Sequence, residues 1–295
     1  YKGWNERIFL PEKLQPERTR SYEAGISTSW LNDQVGLNAA VYRTLTSNQL
    51  VPTAMPYGSA YTYHWAQAGE VENQGIELSA IYRNNSSLFS YRLALNATAN
   101  RNKITQLGTE QVINDYFRLR EGDQIGDLYD TNGKRLGSTN PDWLFGLKGA
   151  MTYKNWDFDF WIKARLGGEV LSDTERYLDH YGVSQASATA RDTENDLLGI
   201  PAPYYFQHKP TEKYVYEATN LRLQRLALTY HFNKIFMIKG FSDFSLSLIA
   251  DNVLMLYNKA PFDPQLTFGV GTYAAKELFM TPSAASYGAS LKIQF

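Results

Sequence analysis

Along most of this chain apolar and polar positions alternate with a period of two, which places one set of side chains on each face of a β-strand. In residues 21–30, Tyr22, Ala24, Ile26, Thr28 and Trp30 stand against Ser21, Glu23, Gly25, Ser27 and Ser29. After a tight turn at Asn32-Asp33, residues 35–45 resume with Val35, Leu37, Ala39, Val41 and Leu45. The same pattern returns in 76–82 (Ile76, Leu78, Ala80, Tyr82), in 89–100 (Phe89 through Ala99), in 143–153 and in 156–166. Residues 221–232 break parity: Leu221 and Leu223 lie on one set, whereas Leu226, Leu228, Tyr230 and Phe232 lie on the other. A β-bulge near Gln224-Arg225 reconciles them. Residues 244–250 carry Phe244, Leu246, Leu248 and Ala250, and the chain ends on Tyr287, Ala289, Leu291, Ile293 and Phe295. The pattern predicts about nine strands.

Connection lengths alternate. Short turns are expected at Asn32-Asp33, 84–87, Lys154-Asn155 and 233–243, and long connections at roughly 48–74, 101–141, 168–218 and 256–285. Within the second long connection, Asp130-Thr131-Asn132-Gly133 signals a hairpin of its own, because Asn-Gly favours the primed turns that join strands. Strands of about 9–11 residues, with short turns at one end and long loops at the other, are the pattern of an outer-membrane barrel. Aromatics at the ends of the apolar faces (Tyr22/Trp30, Trp143/Tyr153, Trp156, Tyr287/Phe295) match interface girdles. The expected fold is therefore all-β, an antiparallel transmembrane β-barrel with long extracellular loops and short periplasmic turns. In that register Phe295 faces lipid, while Lys292 and Gln294 face the lumen.

Composition sharpens this picture. The 295 residues are 43% apolar and 20% charged, so the chain is not of disordered composition. A net charge of −1 argues against a nucleic-acid binder. Without cysteine, neither disulfides nor thiolate metal sites can form. Mean hydropathy is −0.41 and no run approaches about 18 apolar residues, which excludes a helical membrane protein but not a barrel. Tyr1-Lys2-Gly3-Trp4 leads into no apolar leader and there is no initiator methionine, so a mature fragment is expected.

Several segments together resemble the C-terminal part of a SusC/RagA-type TonB-dependent outer-membrane transporter. They are Leu14-Gln-Pro-Glu-Arg-Thr-Arg-Ser-Tyr-Glu23, Val71-Glu-Asn-Gln-Gly-Ile-Glu-Leu78, Ser138-Thr-Asn-Pro-Asp-Trp143, Tyr153-Lys-Asn-Trp-Asp-Phe158 and Asn220-Leu-Arg-Leu223. Asp251-Asn252-Val253-Leu254 is similar to the family's Arg-Asn-Leu segment with Asp replacing Arg, and Asp263-Pro264-Gln265 to its Asp-Pro-Glu. The resemblance spans nearly the whole chain. It implies that residues 1–295 form the last nine or so strands of a barrel of about 22, with plug and earlier strands lying outside this sequence. It also implies active import of oligosaccharides or short peptides, coupled to TonB through the missing N-terminal part. The implied partners are a SusD-like surface lipoprotein and the remainder of the transporter, assembled as a dimer of SusC–SusD pairs in outer-membrane lipid. A terminal aromatic such as Phe295 would be the signal read by the assembly machinery. The alternative is a passive outer-membrane pore or a barrel-based surface binding protein.

No catalytic constellation is visible, so no enzyme activity and no cofactor is expected. His64, His180, His208 and His231 are scattered, in no spacing that builds a triad or zinc site. The run Asp192, Glu194, Asp196 begins like a calcium loop but has Leu197 and Pro203 where that loop needs Gly and Glu. No metal ligand set is assigned, and a loosely held loop calcium is the alternative left open. Two residue sets remain as site candidates. Glu23, Arg92, Asp157, Asp159, Lys163 and Arg165 fall on the polar faces and would line the lumen, either guiding cargo or simply hydrating the wall and pairing with the plug. Tyr57, Tyr61, Tyr63 and Trp65, expected in a loop, could stack on sugar rings or grip peptide side chains, or else pack against the lid or one another.

Overall fold

The computed structural model describes residues 8–9, 14–54, 59, 63–85, 88–108, 110–113, 116–192, 202–232, 243–267 and 276–294. The strands of the large sheet are β1 (Ile8–Phe9), β2 (Arg18–Trp30), β3 (Val35–Ala54), β4 (Tyr63–Asn85) and β5 (Phe89–Gln106). Small strands β6 (Gln111–Val112), β7 (Arg118–Leu119), β8 (Asp127–Tyr129) and β9 (Arg135–Ser138) follow in the connection after β5. The sheet continues with β10 (Trp143–Tyr153) and β11 (Trp156–Leu166). Then come β12 (Glu169–Ser172), helices α1 (Asp173–His180), α2 (Gln185–Asp192) and α3 (Ala202–Gln207), a 3-10 turn at Thr211–Tyr214, and β13 (Val215–Glu217). The last elements are β14 (Asn220–His231), β15 (Asp243–Asn258), β16 (Lys276–Glu277) and β17 (Ser286–Gln294).

The ten-stranded sheet has the order β17-β15-β14-β11-β10-β5-β4-β3-β2, with the short β1 parallel to β4. All nine strands expected from the alternation are present, each antiparallel to its neighbour in sequence order. This up-and-down path pairs the backbone of each inner strand on both edges and of β2 and β17 on one. Among the described residues β2 and β17 do not pair with each other.

Directly opposed residues share a face, so the register defines two continuous surfaces. Across the sheet run Ala24, Val41, Ile76, Ala99, Trp143 and Leu166, and further along Trp156, Tyr230 and Leu246, all on one side. At the short-turn end this side closes on rings in contact. Tyr82 meets Tyr91 at 5.5 Å, Trp156 meets Tyr230 at 4.7 Å, Tyr230 meets Phe232 at 4.7 Å and Phe232 meets Phe244 at 4.9 Å. The other side carries hydroxyls, amides and charges, with hydrogen-bonded cross-strand pairs such as Ser21 with Thr44 (3.0 Å) and Thr229 with Ser247 (2.8 Å).

The parity break is resolved as expected. Trp161 opposes Arg225 and Ile162 opposes Leu223, so Gln224 is the extra residue. In the last strand Ile293 opposes Phe244 and Leu291 opposes Leu246 on the apolar side, while Lys292 opposes Ser245 on the polar side. Gln294 opposes Asp243 in the same polar register, and Phe295 lies outside the described residues.

The long connections differ from the sequence-based expectation. Much of 48–74 is strand: β3 and β4 continue as a paired ribbon to Ala54 and Tyr63, interrupted by irregular pairing around Asn48 and Gln49. Here apolar alternation fades while backbone pairing goes on. Likewise β5 reaches Gln106 and β15 reaches Asn258. The stretch 168–218 holds three helices and two strands of a small sheet, β13-β12-β16. The Asn-Gly hairpin is present as β8–β9, with Asp130 accepting hydrogen bonds from the backbone of Asn132 (2.9 Å) and Lys134 (2.8 Å) and Gly133 at φ 82°.

Gly75, within the Val71–Leu78 motif, shows why a glycine is needed there. A Cβ on it would overlap the Tyr42 ring and come within 2.7 Å of the Ala99 carbonyl oxygen. Tyr42 lies across the glycine and donates its hydroxyl to Asn100 Oδ1 (3.1 Å). Replacing Gly75 by Ala should therefore cost about 1–3 kcal/mol, because the backbone oxygen cannot yield as a side chain can. Gly288, whose Cβ position is open, should accept Ala within about 0.5 kcal/mol. Thermal stability of the two full-length variants measures the contrast; equal losses would contradict the Tyr42–Gly75 contact.

Candidate functional site

The chain buries its best-packed side chains at the long-loop end, where the outer turns of β4 and β5 meet the connections above the sheet. Val71, Ile104, Leu107 and Leu119 form one buried cluster; Tyr116, Phe117, Leu128, Leu171 and Tyr214 form a second; Val170, Ala218 and Ala260 form a third. These clusters make the loops a folded cap. Helix α1 anchors it: the Ser172 side chain accepts a hydrogen bond from the Glu175 backbone N–H (3.2 Å), one half of a capping box. Asp173, which is buried, accepts from Tyr116 (3.1 Å) and pairs with Arg176 (2.9 Å) and Lys276 (3.2 Å). Glu277 accepts from Ser172 (3.1 Å) and Thr174 (2.7 Å), stitching β16 to the start of the helix.

On the next turn Lys209 bridges Asp179 (2.9 Å) and Glu175 (3.2 Å) and lies over the Tyr214 ring. Burial works against its charge, but the two carboxylates outweigh burial and raise its pKa. Burial, then neighbouring carboxylates, push the Tyr214, Tyr216 and Tyr129 hydroxyls far above their ordinary range, so they remain neutral donors. Asp179 is held by Lys209, so it does not serve as an orienter of the adjacent His180, whose Nδ1 lies 3.4 Å from the Gln207 carbonyl.

A polar knot ties this cap to the sheet. Arg222, near the outer end of β14, donates to Asn252 of β15 and to Asp263 in the following loop. Asn252 adopts φ 53° and donates to the Ala284 carbonyl (3.0 Å), just before β17. Asp263 accepts from the Gln265 backbone (3.0 Å), and Gln265 reaches Asn220 (3.4 Å). Burial raises the Asp263 pKa, but the Arg222 bond and further hydrogen bonds prevail and hold it below the usual carboxylate range. The segments Asn220–Leu223, Asp251–Leu254 and Asp263–Gln265, separate in sequence, are thus one structural unit.

The six polar-face candidates all lie on the non-apolar side of the sheet, and they differ in surroundings. Glu23 opposes Tyr42, and Arg92 opposes Arg83 across β4 and β5. Asp157 accepts from Thr152 (2.7 Å) and lies 2.8 Å from His231 Nε2; Asp159 sits one step along, between Ala150 and Ala227. Lys163 and Lys148 approach the Trp161 ring at 4.1 and 4.7 Å. Arg165 is a tether, donating to the Thr139 (2.6 Å) and Gly167 (3.2 Å) carbonyls where the cap joins the wall. Of the aromatic candidates, Tyr57 and Tyr61 fall outside the described residues. Tyr63 and Trp65 belong to β4 and not to a loop, opposite Ala54 and Pro52, and Trp65 is half-buried. The structure therefore does not gather these four aromatics on one described loop. Among the described residues no group of three potential metal ligands converges.

The family model described as TonB dependent receptor-like, beta-barrel matches residues 5–253. The chain belongs to this family. TonB-dependent receptor barrels lie in the outer membrane, so the apolar side of the sheet faces lipid, the short turns are periplasmic and the cap is extracellular. The chain is 25% identical to TonB-dependent receptor P3 of Formosa agariphila over 88% of its own length and 32% of the relative's. It is 23% identical to TonB-dependent receptor SusC of Bacteroides thetaiotaomicron, covering 96% of this chain and 32% of that protein. The chain thus spans about a third of the length of these curated relatives. Among solved structures, the RagAB peptide transporter superposes with a TM-score of 0.77 at 18% identity, over 95% of this chain and 35% of that one.

Arg222 and Asp263 are the site residues that sequence reasoning used only as markers of resemblance. The physical signal was three Asn/Asp/Arg-bearing segments flanking strand ends. Removing Arg222 (Arg222→Leu) leaves Asp263 buried without its cation, a loss of about 3–5 kcal/mol for the knot. Because the Asp263 pKa is depressed, its contribution is present above the unfolded value of about 3.9 and is lost as pH falls through the lower folded value. Hydrogen exchange of residues 259–267 in the full-length protein should stay protected at pH 5 and open below about pH 4; opening already at pH 6 would contradict the pairing.

Proposed function

We propose that residues 1–295 are the C-terminal section of the barrel of a TonB-coupled importer of the SusC/RagA type. The full protein would carry a plug inside a barrel of about 22 strands. It would work with a SusD-like surface lipoprotein, in a dimer of such pairs, importing oligosaccharides or short peptides and performing no enzymatic step. The observation that carries this reading is a polar barrel wall ending in a folded, salt-bridged extracellular cap, in a chain of the TonB-dependent receptor family. A passive pore needs no such folded surface above its wall, whereas a transporter with a lid needs a fixed platform for the lid to meet. The similarity to SusC and to the fold of RagAB, a peptide transporter, supports the same direction.

The lumen-facing set Glu23, Arg92, Asp157, Asp159 and Lys163 is proposed as the hydrated wall that cargo passes and the plug contacts, with Arg165 fixing the cap. Trp65, and with it Tyr57, Tyr61 and Tyr63, are proposed to meet cargo or the lid at the outer mouth.

Affinity purification of the full-length protein from native membranes should co-extract a surface lipoprotein. Uptake of the cargo so identified should stop when TonB is removed or the proton gradient is collapsed. Uptake that continues without TonB would contradict the importer and establish the passive pore.

A further inference from the structure

On the lipid-facing side, the apolar band ends along a single row in one sector of the sheet. The row Ala24, Val41, Ile76 and Ala99 is apolar. The next row outward is Tyr22, Arg43, Gln74 and Arg101, and the one beyond it contains Arg20, Leu45, Glu72 and Lys103. With Arg18 above, five cations share this face with two carboxylates, Glu72, which pairs with Arg43 at 2.8 Å, and Glu70 one step further out, which accepts from Thr105 at 2.8 Å. Arg18, Arg20, Arg101 and Lys103 are exposed, and no ion pair holds any of them among the described residues. On the neighbouring strands the register continues the Arg101 row into Pro141 and Gly168, neither of them a cation. The cations are therefore concentrated on β2 to β5.

The surface under this row is shaped. A depression of about 420 Å³ has Val41, Ile76, Ala99 and Trp143 as its apolar floor, with Gln74, Arg101 and Asp142 at its rim. A second, of about 180 Å³, lies beyond it and shares Gln74 and Arg101, with Glu72, Lys103, Gly122 and Gln124. An apolar groove in the bilayer that continues into a cationic, amide-lined one at the headgroup level matches one kind of molecule. That molecule is an amphiphile with an acyl chain and an anionic head.

We propose that β2 to β5 bind a phosphorylated lipid of the outer leaflet. Its chain lies on Val41, Ile76 and Ala99, and its phosphate is held by Arg101 and Lys103, flanked by Arg20 and Arg43. Guanidinium groups suit this role because their planar donors match phosphate oxygens in pairs. The proposal concerns the outside of the barrel and is independent of cargo and of TonB coupling.

The test uses the full-length receptor in phosphatidylcholine nanodiscs doped with bis-phosphorylated lipid A, with bound lipid counted by native mass spectrometry. The unaltered receptor should retain lipid A, and Arg101→Gln/Lys103→Gln should retain it at least about tenfold less. Lys134→Gln, which removes an exposed cation from the extracellular hairpin, should behave as the unaltered receptor. Equal retention by the double variant, or equal retention of dephosphorylated lipid A, would overturn the proposal. Full displacement by millimolar inorganic phosphate would also overturn it, assigning the row to the free ion. If the double variant fails to assemble, salt decides on the unaltered receptor. Raising salt from about 0.05 M to about 0.5 M should release the lipid, since exposed charges are screened, and undiminished binding would refute the cationic row.

Discussion

Everything in this chain depends on one constraint: a backbone amide in hydrocarbon must find its partner within the protein. The seven inner strands meet it on both edges, β2 and β17 on one edge each, and this ladder then dictates the rest. Because side chains alternate with a period of two, fixing one pair fixes which face every residue takes. The bulge at Gln224 is where the ladder would otherwise fail. Without it, Leu221 and Leu223 would turn to the lumen, and Asn220 and Arg222 would turn to lipid. One extra residue keeps the apolar band continuous and delivers Arg222 to the inside, where Asn252 and Asp263 wait for it.

Outside the bilayer the constraint relaxes and a different logic holds. The cap has its own buried clusters and uses charge freely, with Asp173, Asp179, Glu277 and Lys209 each matched by partners. The wall supplies little burial because both its faces meet other phases, lipid on one side and water on the other. The outer mouth is held by the cap and by its fastenings to the wall, among them Arg165 on the Thr139 and Gly167 carbonyls, Arg222 on Asp263, and Asn102 of β5 exchanging hydrogen bonds with the Ile125 backbone.

Most of the barrel was legible in the sequence because its physics is local. Alternation, turn residues and aromatic ends are visible residue by residue, and even the bulge announced itself as a parity break at Leu223/Leu226. What escaped was governed by contacts distant in sequence. The ribbon to Ala54 and Tyr63 loses alternation, so it read as a loop and carried Tyr63 and Trp65 with it. The helix at Asp173 is written in Ser172-Asp-Thr-Glu175, a capping-box spacing inside a long connection where no alternation points to it. The knot at Arg222 joins residues 41 positions apart, and no periodicity marks such a pairing.

The central claim, that one face of this sheet meets lipid and the other lines a water-filled path, can be measured directly with single cysteines, of which residues 1–295 contain none, in a full-length protein freed of any others. Single cysteines would be placed along β15 at Leu246, Ser247, Leu248 and Ile249 of the full-length protein in liposomes and carry an environment-sensitive label. Labels at 246 and 248 should be quenched by a bilayer-borne quencher, and labels at 247 and 249 by an aqueous one, alternating residue by residue. Uniform quenching by the aqueous agent, or the opposite alternation, would contradict the account.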